Sequence, residues 1–214
     1  MNDSIELAYG NSGLSLTLDP VRFDVTVLAP RNAPGVADLR DAFTTAVRSP
    51  QGTGPLREIV SRCSSKNPNV TIVISDHTRS TPDALLLPLI VEELGVGDDS
   101  VTILVGTGTH RETTRDELNA KLGEENLRRF RVVNHRCDDA KDMVDVGATS
   151  CGSAVRLNRT YVNADIRIAT GFVEPHFFAG FSGGPKAVVP GVAGLETVEY
   201  AHRPRLIADP GSTW

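Results

Sequence analysis

Residues 69–94 read NVTIVISDHTRSTPDALLLPLIVEEL. The run at 69–76 is short, continuous and rich in β-branched residues, as in a strand buried on both faces. A helix is expected from Pro82 through Leu94, with Ser80 or Thr81 as its cap and Pro82 at its first helical position. SVTILVG (100–106) repeats the pattern: a buried strand, the loop TGTHRE, then a helix from about Arg115 to Leu122. Thr114 and Glu117 have the spacing of a capping box at that helix start.

Working outward, RRFRVVNH (128–135) and DIRIATG (165–171) read as further strands. LSLTLDP (14–20) and VRFDVTVLAP (21–30) alternate apolar and polar residues, as paired strands do. Residues 34–47, 54–63 and 194–203 have helical spacing, and 141–163 reads as a β-hairpin with turns. Buried strands alternating with helices predict a Rossmann-like α/β fold. Its sheet is largely parallel, is flanked by helices and carries a small added β segment. In such sheets ligands sit beyond the carboxyl ends of the strands. Three loops there, SDHTRSTP, GTGTHRE and GFVEPHFFAGFSGGPK, bring His77, Arg79, His110, Arg111, His176 and Lys186 toward one rim.

Composition narrows the function classes. The 214 residues carry 22 Lys and Arg against 27 Asp and Glu, a net charge of −5, which argues against a nucleic-acid binder. No run of eighteen apolar residues predicts a membrane span, and MNDSIELAYG lacks a signal pattern, so a cytoplasmic protein is expected. Cys63, Cys137 and Cys151 show no CxxC spacing and read as incidental thiols.

Each candidate has two readings. Arg79 could clamp a carboxylate or phosphate, or pair at the surface with Asp76 or Asp83. His110 and His176 could transfer protons at neutral pH, or satisfy local backbone groups. The aromatic flank of His176 suits a site that excludes water. His77 could orient its loop, and His135 reads as structural. Gly180–Lys186 (GFSGGPK) could cradle a phosphate, but Pro185 and Ala187 depart from a Walker A loop. Lys186 in a low-dielectric pocket could become a nucleophile or a covalent attachment point. On spacing alone, His202 is a helix-end histidine facing the dipole.

Together, DHTRSTP (76–82), GTGTHR (106–111), EPHFFAGFSGGPK (174–186), the following PGVAG and His202 resemble the nickel-pincer lactate racemase family. The resemblance covers most of 14–210 and corresponds to that family's N-terminal domain. It implies that Lys186 is joined through a thioamide to a nickel-pincer nucleotide, pyridinium-3-thioamide-5-thiocarboxylic acid mononucleotide. His202 would complete the nickel's coordination. It implies that His110 and His176 exchange protons with a small 2-hydroxy acid such as lactate, and that Arg79 anchors the substrate carboxylate. Asp76, Thr78, Ser182, Gly183 and Gly184 would surround the nucleotide.

Family members run to about twice this length, with a second α/β domain closing over the site. Residues 1–214 are therefore expected to form the cofactor-binding domain of a racemase or epimerase, inactive alone and prone to self-association. The chain would be either an excised fragment or a naturally short member. Two alternatives stand beside that reading. One is a non-catalytic nucleotide- or metal-binding module that scaffolds a partner domain. The other is a phosphate-binding enzyme using Lys186 as an electrostatic clamp.

Overall fold

The computed structural model describes residues 4–10, 12–28 and 33–212 and divides the chain into two units, at Ala37/Asp38. In the first, β1 (Ser4–Leu7) pairs antiparallel with β2 (Leu14–Thr17), Ser4 opposite Thr17. This corrects the expected partner of the 14–20 strand. Asp19 folds the chain back instead, its Oδ1 accepting from Val21 N at 2.9 Å and its carbonyl from Arg22 N and Phe23 N at 3.0 Å. Pro20 also has no N–H to give a ladder. Residues 21–28 form no strand, and 29 and 30 lie outside the described residues.

The second unit begins with α1 (Leu39–Arg48), whose first turn is capped by the Asp38 side chain accepting from Asp41 N, and α2 (Leu56–Ser61). There follow β3 (Val70–Ser75), α3 (Asp83–Leu94), β4 (Val101–Gly106), α4 (Arg115–Arg129) and β5 (Arg131–Asn134). β6 (Met143–Ala148) and β7 (Ala154–Asn158) make the expected hairpin, irregular between Asp145 and Ala148. Then come α5 (Arg159–Val162), β8 (Ile166–Ala169) and the two-residue strands β9 (Pro175–His176) and β10 (Gly180–Phe181). A 3-10 turn (Gly184–Ala187), α6 (Leu195–Ala201) and α7 (Pro204–Ile207) complete it.

The sheet is four-stranded and wholly parallel, in the order β5-β4-β3-β8. Its two faces are separated by the strand alternation. Val70, Ile72 and Ile74 face α3 and α4, meeting Leu87, Ile90, Leu118 and Leu122. Val73 and Leu104 face the other way, toward Val192 and Tyr161. The chain winds from β3 outward to β5 and then returns to add β8 on the far side of β3. That reversal opens a crevice at the carboxyl ends of β3 and β8, where open α/β sheets bind ligands.

Three boundaries differ from the pattern, the first being α1, which begins at Leu39 after its Asp38 cap rather than at 34. α4 runs past 122 to Arg129, interrupted at Gly123 (φ +77°), so β5 begins at 131 rather than 128. Gly123 is the residue that tolerates this left-handed break. At α3, Pro82 occupies the cap position and no side chain caps the helix. The Thr81 hydroxyl instead meets Ser75 Oγ at 3.1 Å. The capping box at Thr114 and Glu117 forms as expected. Among the described residues, no helix is long and apolar enough to cross a membrane.

Candidate active site

The crevice is a cleft of roughly 610 Å³, within the range of small-molecule and cofactor sites. Loops after β3, β4 and β8 line it, joined by the turn at 183–187 and the end of α6. It gathers Arg79, His110, His176, Lys186 and His202. His77 and Arg111 do not line it. His77 sits behind the β3 loop, its Nε2 3.3 Å from Arg111 Nη2, while Arg111 makes two hydrogen bonds to Glu117 at 2.8 and 2.6 Å. The rim is therefore narrower than the sequence suggests.

Asp76 begins the β3 loop and is 3% exposed. Its Oδ1 accepts from Thr78 N at 3.1 Å and from the Thr78 hydroxyl at 2.6 Å. Its Oδ2 lies 2.6 Å from His110 Nδ1. Burial raises the carboxyl's pKa, but the bonds from Thr78 and His110 outweigh it and hold the group below the usual carboxylate range. An ionised Asp76 can only accept, so His110 carries its proton on Nδ1 and presents a bare Nε2.

His176 is the opposite case. Ala179 N donates to its Nδ1 at 3.3 Å, so the neutral ring carries its proton on Nε2. Phe177 stacks on it and Phe178 meets it edge-on, with ring centroids 4.9 and 4.7 Å away. Of these two rings, Phe178 lines the cleft and Phe177 faces solvent. Burial, then the positive charges of Lys186, Arg79 and His202, holds its pKa below the ordinary imidazole value.

Lys186 lies in the 3-10 turn and is half-buried. Burial and the Arg79 guanidinium hold its ammonium below the usual lysine range, so more free amine is present at neutral pH. Among the described residues no carboxylate pairs with Lys186 or with Arg79. The two partners that could have claimed Arg79 are taken: Asp76 by His110, and Asp83 by Lys121 at 3.0 Å. His202 is the C-cap of α6, and its Nδ1–H donates to the Val198 carbonyl at 2.7 Å. That bond leaves Nε2 bare, the orientation that a metal-ligating imidazole takes.

Ser182 and Gly183 line the cleft, but the Ser182 hydroxyl serves its own loop. It donates to Phe172 O at 2.7 Å and accepts from Glu174 N at 3.0 Å. Gly183 has φ +72°, and a Cβ there would lie 2.7 Å from Phe172 O; Gly184, at φ +49°, faces open space. Gly183→Ala, strained and in collision with Phe172 O, should therefore cost about 3 kcal/mol of stability and Gly184→Ala about 1–2 kcal/mol. Urea denaturation of the two variants checks the order.

Sequence reasoning missed two features. The Asp76–His110 bond joins residues from two loops. The Lys121–Asp83 ion pair beneath the cleft is almost wholly buried, at 6% and 0% side-chain exposure. Neither has a local spacing that could reveal it.

Residues 9–214 match the family model of the lactate racemase N-terminal domain. The chain belongs to the lactate racemase family. It is 34% identical over 210 residues to the lactate racemase of Thermoanaerobacterium thermosaccharolyticum, covering 97% of this chain and 48% of that one. It is 40% identical over 144 residues to the lactate racemase of Lactiplantibacillus plantarum, covering 66% of this chain and 34% of that one. The solved apoprotein structure of the Thermoanaerobacterium lactate racemase superposes with a TM-score of 0.81 at 33% identity. That superposition covers 99% of this chain and 49% of the other. The chain thus spans about half the length of the former relative and a third of the latter. The four parallel strands flanked by helices agree with the Rossmann-like α/β fold that the sequence predicts.

Proposed function

We propose that this chain is the cofactor-bearing N-terminal domain of a 2-hydroxy acid racemase or epimerase of the lactate type. The supporting observation is the meeting of Lys186 and His202 in one cleft. The first is an amine without an acidic partner, the second an imidazole whose Nδ1 is tied and whose Nε2 is bare. These residues fit the nickel-pincer nucleotide: Lys186 would tether it and His202 would bind the nickel through Nε2. Among the described residues, no group of three or more His, Cys, Asp or Glu could hold a metal. A site whose other donors come from an organic group is compatible with that. When bound, the group supplies an acceptor for the substrate's hydride.

The remaining residues handle the substrate. Arg79, free of carboxylate partners, would bind the substrate carboxylate through two parallel N–H bonds. His110 Nε2 would take the hydroxyl proton, and the resulting imidazolium would be stabilised by Asp76. His176, with Nε2–H in its neutral form, can donate a hydrogen bond to the substrate oxygen. To deliver a proton from Nε2 to the oxygen of the planar 2-oxo acid, the ring would first take a proton on Nδ1, giving up the bond from Ala179 N. It would then be left with a bare Nε2 and could act as the base in the reverse direction. Gly183 and Gly184 would let the backbone approach the nucleotide. Asp76, Thr78 and Ser182 would shape its surroundings through the loop bonds described above. A second α/β domain would complete the site, and the isolated chain is expected to be inactive.

A non-catalytic binding module is a second reading, favoured by the exposure of Arg79 and His202 in this chain. Co-expression with the cofactor's biosynthetic enzymes, followed by intact mass and metal analysis, tests the tether. The wild type should gain the mass of the nucleotide together with nickel. Lys186→Ala should gain neither, and His202→Ala should keep the mass while losing most of the nickel. Unmodified, metal-free protein from a fully supplied cell would end the racemase reading. Turnover of lactate by a version carrying the second domain then separates enzyme from module.

A further inference from the structure

The segment between Lys186 and His202 is fastened at five consecutive residues. Gly191 O accepts from Gly108 N at 2.9 Å, Val192 O from Asn158 N at 2.8 Å, and Ala193 O from His135 Nε2 at 2.9 Å. Gly194 N donates to Arg156 O and Leu195 N to Cys137 O, both at 2.9 Å. Four of these bonds are backbone to backbone. The fifth depends on a side chain, His135, which is 1% exposed.

His135 also holds the other half of the site. Its N–H donates to Val105 O at 3.0 Å, and its carbonyl accepts from the Thr107 hydroxyl at 2.7 Å. The Thr107 carbonyl in turn accepts from His110 N at 2.9 Å. One residue therefore touches both the root of the His110 loop and the segment bearing the Lys186 tether and His202. Asn158 fixes the tautomer: its Nδ2 donates to His135 Nδ1 at 3.1 Å while its Oδ1 accepts from Thr160 N at 2.9 Å. Nε2 is then the protonated nitrogen, as the bond to Ala193 requires.

We propose that neutral His135 is a positioning residue that sets the placement of the Lys186–His202 segment against the His110 loop. The clamp itself is independent of function; its consequence for cofactor attachment rests on the racemase reading. Protonation disrupts it at Asn158: the Nε2–H bond to the Ala193 carbonyl persists in the cation, but Nδ1 can no longer accept. A proton on Nδ1 would face the Asn158 amide donors, and Asn158 could turn over only by abandoning Thr160 N. The charged groups bearing on the ring are Asp142 and Asp138, both of which favour the cation. Burial outweighs them and holds the ring's pKa below the ordinary value. A depressed folded value means that the clamp is intact above about pH 6.5. It is lost as pH falls through the lower folded value.

Hydrogen exchange on the whole chain tests this. His135→Leu should speed exchange of amides at 188–195 and 108–110 by about tenfold or more while β3 and β4 keep their protection. His135→Gln, which can both donate to Ala193 and accept from Asn158, should restore protection at pH 7.5. As the pH is lowered stepwise from 7.5, the wild type should loosen in the same segment before the rest of the fold, and His135→Gln should not. Wild-type protection in His135→Leu, or equal acid loosening in His135→Gln, would overturn the proposal. Should His135→Leu fail to fold, the pH comparison of wild type with His135→Gln decides it alone. In cofactor-supplied cells His135→Leu should also carry a several-fold smaller fraction of modified Lys186 than His135→Gln. Absence of adduct from every variant, with the exchange results as expected, would count against the racemase reading and leave the clamp standing.

Discussion

Lys121→Met should destabilise the fold by about 3–5 kcal/mol, and adding Asp83→Asn should recover most of that loss. The pair is held at 3.0 Å with almost no solvent contact, so removing one partner leaves a buried charge uncompensated. The effect should also be felt in the cleft. Lys121 Nζ donates to Arg79 O at 2.9 Å and to Ser75 Oγ at 3.4 Å, and the Thr170 hydroxyl donates to Asp83 Oδ1 at 2.7 Å. These contacts join the end of β3, the Arg79 loop and the end of β8, the three sides of the topological reversal. Chemical denaturation of the two single variants and the double variant forms a double-mutant cycle. A cost below about 1 kcal/mol for Lys121→Met would show that the ammonium is not compensating Asp83 in a dry interior. Additive losses would show that the two groups act independently.

The elements were legible where one local rule dominates. The β-branched runs at 70–75 and 101–106 have no competing pattern, and both are strands of the central sheet. The box at Thr114 and Glu117 is a three-residue device that forms without help from elsewhere. The pairing of 14–17 was not legible, because alternation marks a strand without naming its partner, and the partner is Ser4–Leu7. The same limit applies in the cleft. Glycines and a lysine at 183–186 can be read along the chain. The ring nitrogen that His110 leaves bare is decided by Asp76, thirty-four residues upstream. That for His202 is decided by a carbonyl one turn back, which a helix ending at 201 makes available. Side-chain chemistry that depends on tertiary neighbours is where pattern reading stops and geometry begins.

Asp76→Asn provides the sharpest test of that geometry. The carboxylate can only accept, so it holds the His110 proton on Nδ1 and keeps Nε2 available as a base. An asparagine of the same shape can turn its NH₂ toward Nδ1, which moves the ring proton to Nε2 and removes the base. In a cofactor-loaded version carrying the second domain, kcat should fall by about 10²–10⁴, as when a histidine is held in the wrong tautomer. KM should change far less, because the Arg79 guanidinium makes no bond to the Asp76 carboxylate, and the bond that does join them, Arg79 N to Asp76 O at 3.3 Å, is backbone and survives the substitution. Nitrogen NMR of His110 in this chain reads the tautomer directly, without any turnover. The acid limb of stability offers a second readout. The folded pKa of Asp76 is depressed, so its contribution is present above about pH 3.9, the unfolded value. It is lost as pH falls through the lower folded value, and Asp76→Asn should lack that contribution. A variant whose His110 keeps its Nδ1 proton and whose kcat is unchanged would remove Asp76 from the proposed proton-transfer machinery and leave it as a tie within its own loop.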